Sequence, residues 1–281
     1  MKEYYFSYIV DKDITVPDGT CIATALRPED AALMDVSRDR GAFAPFFIAG
    51  MCTSTFDLAW YFQRERNLPP WSATLALCQS QGRGQLRREW VSPPGNLYVS
   101  FFLPREIAGL DSMSSLATGY CIHAALGRMG IATRLKWPND ILLQNPHGAE
   151  GKFGGLLLEE REGRLLAGLG LNLRSAPDGS ALRKGRAVPA MALPACGMTV
   201  FNLWLDLVRH MRDVFERDIE GASLEEIRQK VEGALAWAGR RVYAEDTRAS
   251  GELVGLNSDG SLLLRTPSGI IAVSSGSVIP E

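Results

Sequence analysis

Imidazole and thiol ligands are scarce in this sequence. Of 281 residues three are histidine, His123, His147 and His210, and none stands at ligand spacing from another. The five cysteines, at 21, 52, 78, 121 and 196, are odd in number, scattered and never form a Cys-x-x-Cys pair. That pattern speaks against a zinc site and against a disulfide framework, and it reads as buried thiols in a reducing cytosol. No run of about 18 apolar residues occurs, so no membrane-spanning helix is expected. The opening MKEYYFSYIV lacks a long apolar core and a small-residue cleavage site, which sets aside a secretory signal and makes the cytoplasm the expected location. An excess of positive charge is missing as well, since 30 Lys and Arg face 32 Asp and Glu. A broad basic face for nucleic acid is therefore not expected, although a local basic patch is. Two phosphate-binding signatures, GxxxxGK[ST] and GxGxxG after a strand, are also absent.

What is present is a chain 46% hydrophobic and 22% charged, the balance of a soluble globular protein with one large domain or a large and a small one. In residues 1–50, TCIATAL and APFFIAG read as short strands, with no helix-turn-helix periodicity. Ser54 or Thr55 caps a helix that must end before Pro69-Pro70. ATLALC (73–78) and NLYVSFFL (96–103) read as strands. A helix is predicted over 112–129 with Gly130 as its C-cap. ATRLKW, DILLQ, GGLLLEE and RLLAGLGLNL follow as strands. Residues 174–199, rich in Pro, Gly and Ala, read as a long mobile connection. An amphipathic helix runs from Thr199 to about Ile219 with Val200, Leu203, Leu207, Met211 and Val214 on one face, and a second helix follows over 223–237. After Gly239 short strands and turn signals at Asp259-Gly260 and Ser268-Gly269 indicate a small β-barrel. The expected organisation is a strand-like segment (1–50), a main domain (51–238) and a small domain (239–281).

The unusual residues gather at strand ends. They are TSTF (53–56), QSQGRGQLRREW (79–90), KWPND (136–140), and KFGGLLLEE (152–160) followed by GLGLNL (168–173). Glycine lets backbone N–H groups approach a ligand, and arginine offers a planar fork to phosphate or carboxylate oxygens. A loop with both suits a phosphorylated or adenylated ligand, but most Gly-Arg loops are exposed turns. Lys136 closes a strand whose direction Pro138 restricts. It either aims a compact charge into a cleft or is solvated. Asn139 and Asp140 read as turn formers, the glycine pair at 154 and 155 as close packing or a β-bulge, and Asn172 as a polar group that needs partners if buried.

In this order the segments resemble the biotin protein ligase (biotin–[acetyl-CoA-carboxylase] ligase) family. Its pattern is a Ser-Thr pair opening a helix, then Gln-Thr-x-Gly-Arg-Gly-Arg-x-Gly-Arg-x-Trp-x-Ser-Pro-x-Gly-x-Leu-Tyr. Lys-Trp-Pro-Asn-Asp, Lys-x-x-Gly-Ile-Leu-x-Glu and Gly-x-Gly-x-Asn follow. They correspond to Ser54-Thr55, Gln79 to Tyr98, Lys136 to Asp140, Lys152 to Glu159 and Gly168 to Asn172. The resemblance covers about residues 50–281.

It implies an α+β fold, with a mixed-sheet biotin/lipoate ligase-like catalytic domain and a C-terminal SH3-like β-barrel, and no N-terminal DNA-binding domain. It also implies ATP-dependent formation of biotinyl-5′-adenylate with Mg2+ accompanying ATP, then transfer to a lysine of a biotin carboxyl carrier protein. By the match, Lys136 and Arg88 are catalytic. Ser54, Thr55, Gln79, Gly82, Arg83, Gly84, Gln85, Lys136 and Gly155 line the biotin site. Arg83, Arg88, Trp90, Asn139, Lys152 and Asn172 meet ATP. The family often dimerises through a sheet edge, which the sequence does not place; neither DNA nor membrane is an expected partner.

Three positions depart from the pattern. Phe56 stands where Asn is frequent, Gln85 where a second glycine-spaced Arg is usual, and Arg87 where Gly is usual. The alternatives are a lipoate- or octanoate-type ligase, whose Arg-Arg-x-x-Gly-Gly-Gly loop is not found, and a degenerate adenylate binder.

Overall fold

A computed structural model describes residues 8–9, 14–15, 21–22, 44–85, 88–145, 148–177, 188–193 and 198–281. Most of the strand-like segment read over 1–50 lies outside that set, apart from the two-residue strands β1 (Tyr8–Ile9), β2 (Ile14–Thr15) and β3 (Cys21–Ile22) and the residues from 44 on. The chain forms two compact units.

The first unit comprises Met1–Arg105, Leu157–Ser175 and Pro194–Trp204. Its sheet is mixed. β4 (Phe46–Cys52) runs parallel to β5 (Ala73–Gln79), β5 is antiparallel to β6 (Leu97–Phe102), and β6 is antiparallel to β10 (Arg164–Leu171). Parallel neighbours need a crossover, and helix α1 (Thr55–Arg66) supplies it. Ser54, in extended backbone, caps α1 through a bond from Phe56 N–H at 3.4 Å. Asp57 in the first turn and Arg64 and Arg66 in the last complement the helix dipole. The helix stops at left-handed Asn67, ahead of the proline pair as expected. Its inner face buries Phe56, Leu58, Trp60 and Phe62. Phe62 stacks on Phe47 at 4.1 Å and Trp60 meets Phe102 edge-on at 5.4 Å. Each such ring contributes ~1.5–3 kcal/mol by leaving water.

The second unit comprises Glu106–Leu156, Ala176–Leu193 and Leu205–Glu281. A short helix, α2 (Arg105–Ala108), leads through a 3-10 turn (Asp111–Met113) into α3 (Ser114–Arg128), with Gly130 at φ +78° behind it. Strands β7 (Thr133–Lys136), β8 (Asp140–Gln144) and β9 (Glu150–Arg161, here as far as Leu156) form an antiparallel set. Helix α4 (Val200–Asp218) is the predicted amphipathic helix, with Leu203, Leu207, Met211 and Val214 buried. Helix α5 (Leu224–Ala234) opens on a capping box in which Ser223 and Glu226 satisfy each other's backbone N–H.

β11 (Arg241–Ala244), β12 (Ala249–Leu256), β13 (Leu262–Thr266), β14 (Gly269–Val273) and β15 (Val278–Pro280) make a five-stranded antiparallel sheet in the order β14-β13-β12-β11-β15. Both predicted turns fall where glycine has positive φ, Gly260 at +80° and Gly269 at +122°. The architecture is thus α+β with a mixed sheet and a small antiparallel sheet, as the family resemblance implies. The composition boundary at 238 falls inside the second compact unit.

Among the described residues no helix is long and apolar enough to cross a membrane. Cys52, Cys78 and Cys121 are free. Burial, with a smaller contribution from Asp57, pushes the Cys52 thiol up to about 12, which leaves it protonated and unreactive at neutral pH.

Candidate active site

In the first unit, three side chains expected at one site, Ser54, Thr55 and Gln79, lie at the start of α1 and the end of β5. Ser54 is fully buried and Thr55 nearly so. The Thr55 backbone N–H donates to Gln79 Oε1 at 2.9 Å, and Gln79 Nε2 donates to Ser92 Oγ at 2.9 Å. Ser92 Oγ in turn donates to the Trp90 carbonyl at 2.9 Å. Gln79 therefore ties the helix start to the far stem of the glycine-arginine loop. The Thr55 hydroxyl is satisfied by Ser100 at 2.7 Å.

The loop pairs with itself. Trp90 N–H donates to Gly82 O at 2.8 Å, Gly84 N–H to Arg88 O at 2.8 Å and Arg88 N–H to Gln85 O at 3.1 Å. Arg83 and Glu89 face each other as an antiparallel bridge. Gln85 lies exposed at the turn, and Arg88 is exposed on the returning arm. Arg87 lies outside the described residues. The Arg83 guanidinium meets Asp57 Oδ1 at 2.5 Å and lies 3.7 Å from Glu159. Asp57 also accepts from Thr53 Oγ1 at 3.1 Å. Sequence reading missed Asp57; the available signal was a carboxylate in the first turn of a helix that opens on the Ser-Thr pair.

The glycines of GLGLNL have a steric reason. A Cβ on Gly168 would lie 2.2 Å from the Phe56 ring, and one on Gly170 would lie 2.6 Å from the Trp90 indole. Phe56, one of the departures from the family pattern, is thus seated over a glycine of β10. Gly168→Ala should lower stability by about 1–3 kcal/mol, the usual cost of overpacking. Thermal unfolding measures it, and Gly168→Ala combined with Phe56→Leu should recover part of the loss. Equal Tm for wild type and Gly168→Ala would contradict this packing. Asn172 is buried, as its place in an apolar strand suggests. Directly behind it, Asn96 Oδ1 accepts from the N–H groups of Leu173 and Arg174 at 2.9 Å and of Ser175 at 3.2 Å. Its Nδ2 returns a bond to Ser175 O at 2.9 Å. One buried amide therefore fixes the chain as it leaves β10.

The second unit holds a lysine–carboxylate–lysine group at the β7–β8 turn. Lys136 Nζ donates to Asp140 Oδ2 at 2.9 Å, and Lys152 Nζ lies 2.6 Å from Asp140 Oδ1. Burial alone would raise the Asp140 pKa, but Lys136 and Lys152 outweigh it and hold the carboxyl below the usual range. Asp140, read from sequence as a turn former, is the centre of the group.

Lys136, read as pointing a charge at an anionic ligand, is only 6% exposed, and its second partner is Ser277 Oγ at 2.8 Å. The Lys152 side chain is 31% exposed and is the reachable cation of the two. Its backbone is also engaged, donating to Pro189 O at 2.7 Å and accepting from Met191 N–H at 2.9 Å. Part of the stretch read as a long mobile connection thus lines β9, while 178–187 and 194–197 lie outside the described residues. Asn139 bridges to β9 twice, Nδ2 to Leu156 O at 2.6 Å and O from Leu156 N–H at 2.9 Å. Gly155 pairs with Asp140, and a bulge beside the glycine pair leaves Phe153 without a ladder partner and wholly buried.

Residues 49–174 match the biotin/lipoate A/B protein ligase family, and residues 239–279 match the biotin protein ligase C terminal domain. The biotin–[acetyl-CoA-carboxylase] ligase of Paracoccus denitrificans is 32% identical over 207 residues, 69% of this chain and 84% of its own length. The chain belongs to the biotin protein ligase family. The bifunctional ligase/repressor BirA of Bacillus subtilis is similar at 25% identity, over 75% of this chain and 67% of the relative. Among solved structures, the biotin protein ligase from Aquifex aeolicus in complex with biotin and ATP covers 84% of this chain and 98% of its own, with a TM-score of 0.66 and 28% identity. The match over 49–174 spans TSTF, the glycine-arginine loop, KWPND, KFGG and GLGLN, so both side-chain groups described above lie within the matched stretch.

Proposed function

We propose that the protein condenses biotin with ATP to biotinyl-5′-adenylate and passes the biotinyl group to a lysine of a carrier-protein domain. The observation that carries this reading is the Lys136–Asp140–Lys152 group, which holds a partly exposed ammonium on a buried carboxylate within the family's own KWPND and KFGG segments.

In the first step a biotin carboxylate oxygen attacks the α-phosphorus, the bond to the bridging oxygen breaks, and pyrophosphate leaves. Two anions must meet, so the protein contributes positive charge and positioning instead of a nucleophile. In the proposal Lys152 carries the charge that faces carboxylate and α-phosphate, and Lys136 keeps Asp140 ionised and in place. Ser54, Thr55 and Gln79 frame the biotin head, with Gly82-Arg83-Gly84 and Gln85 closing beside it and Gly155 at the β8–β9 edge. Arg83, Arg88, Trp90, Asn139 and Asn172 serve ATP, with Trp90 offering its ring to adenine. In the second step the carrier amine attacks the acyl carbon and AMP leaves, with no covalent enzyme intermediate. Mg2+ arrives on the ATP phosphates in this proposal. Among the described residues no group of three or more His, Cys, Asp or Glu side chains offers it a protein-held site. Residues 239–281 are assigned to a C-terminal domain and 51–238 to the catalytic domain.

Purified protein incubated with ATP, biotin and a carrier domain should yield a streptavidin-reactive carrier and none when ATP is withheld. Pyrophosphate exchange driven by lipoate and not by biotin would move the assignment to the lipoate ligases.

A further inference from the structure

We propose that Ser277, in the last turn of the C-terminal sheet, is a positioning residue for the lysine–carboxylate group of KWPND. The lysine ammonium has three N–H bonds to place. Asp140 takes one at 2.9 Å and the Ser277 hydroxyl takes another at 2.8 Å. A hydroxyl that accepts from an ammonium makes a charge-assisted bond, and at a residue only 6% exposed water is a poor substitute.

The small sheet itself sets the place of Ser277. Ala244 and Val278 are register partners, and Glu245 N–H donates to Ser277 O at 3.0 Å. Ser275 Oγ donates to Asp246 Oδ2 at 2.9 Å. Gly276 bends through φ +93°, and a Cβ there would lie 2.4 Å from the Asp246 carboxyl carbon. The same sheet holds the next residue of the segment, because Trp137 Nε1 donates to Gly260 O at 2.9 Å in a buried bond. Two successive residues, Lys136 and Trp137, are thus located by groups 141 and 123 positions further along the chain, respectively. With Lys136 fixed, the two Asp140 oxygens stay divided, Oδ2 for Lys136 and Oδ1 for Lys152. Without the hydroxyl, Lys136 is free to turn on Asp140, and Lys152 loses its defined seat.

The inference deepens the ligase reading and rests on it for its kinetic arm. Biotin-dependent pyrophosphate exchange is measured on the full chain for wild type, Ser277→Ala and Ser277→Thr. Ser277→Ala is expected to lower kcat about tenfold, the worth of one hydrogen bond to a charged group, with Tm lowered by a few degrees for the donor left unmet, while Ser277→Thr keeps the hydroxyl, the rate and the Tm. A wild-type rate in Ser277→Ala, or a Ser277→Thr enzyme as slow as Ser277→Ala, overturns the proposal. Reductive methylation with formaldehyde and borohydride, read at Lys136 by peptide mass spectrometry, needs no activity. Lys136 should be modified faster in Ser277→Ala than in wild type or Ser277→Thr. A wild type with no biotin-dependent exchange would sink the ligase reading alone; equal methylation of Lys136 in all three proteins would then overturn the role of Ser277.

Discussion

Lys136→Ala is expected to abolish carrier biotinylation and to lower folding stability by about 3–5 kcal/mol, the cost of breaking a buried ion pair from one side. Asp140 is 8% exposed and would keep Lys152 as its remaining ion-pair partner. Urea denaturation and pyrophosphate exchange check the two halves. Lys152→Ala serves as the contrast, with activity lost equally and the stability loss smaller, because 31% of that side chain already meets solvent. The acid limb separates the variants further. Asp140 has a depressed folded-state pKa, so its stabilisation is present above the ordinary value of 3.8 and is lost as pH falls through the lower folded value. Removing Lys136 weakens the cause of that depression, and the stability of Lys136→Ala should change less between neutral and acid pH than that of wild type. A Lys136→Ala protein as stable as wild type would show that Asp140 does not depend on this lysine.

Gln85→Arg is expected to slow release of biotinyl-5′-adenylate by about 10- to 100-fold, as a new hydrogen bond from a charged donor is worth roughly 1–3 kcal/mol. The family pattern has an arginine where this chain has Gln85, and the structure puts Gln85 exposed in the self-paired loop. The backbone there is held by Arg88 N–H on Gln85 O, a bond that the substitution leaves intact. The wild-type enzyme should therefore lose its adenylate faster than Gln85→Arg in a trapping experiment with the preformed intermediate. Identical release rates would mean that the loop retains the adenylate without any guanidinium at this position.

Much of the fold is legible in the sequence because its cues are local. Ser54 before an apolar run and Pro69-Pro70 after it bound α1, and Gly260 and Gly269 mark turns that demand positive φ. The partners inside the candidate site were not legible in the same way. Asp140 is a turn former in any local reading, and only the return of β9 brings Lys152 to its second oxygen. Asp57 waits for Arg83, 26 positions later. The two glycines of GLGLNL stand out in the sequence without a stated role, and only the packing shows that they make room for Phe56 and Trp90. Periodicity records which face of an element is buried, and it carries no information about which distant side chain completes a polar group. Residues 189–191 were hidden for a related reason, since their pairing with Lys152 is by backbone and leaves no pattern in side-chain type.

The hold that the small sheet has on Lys136 and Trp137 bears on how such a chain can be recombined. Ancestry divides it into a stretch over 49–174 and another over 239–279, yet the second compact body takes residues from both. A chimera cut at the ancestral seam would inherit the lysine from one parent and its hydroxyl acceptor from the other. The interchangeable part is then the strand-turn-strand of KWPND together with the turns at Gly260 and Ser277, and an exchange that respects this joint should survive where a tail swap alone does not.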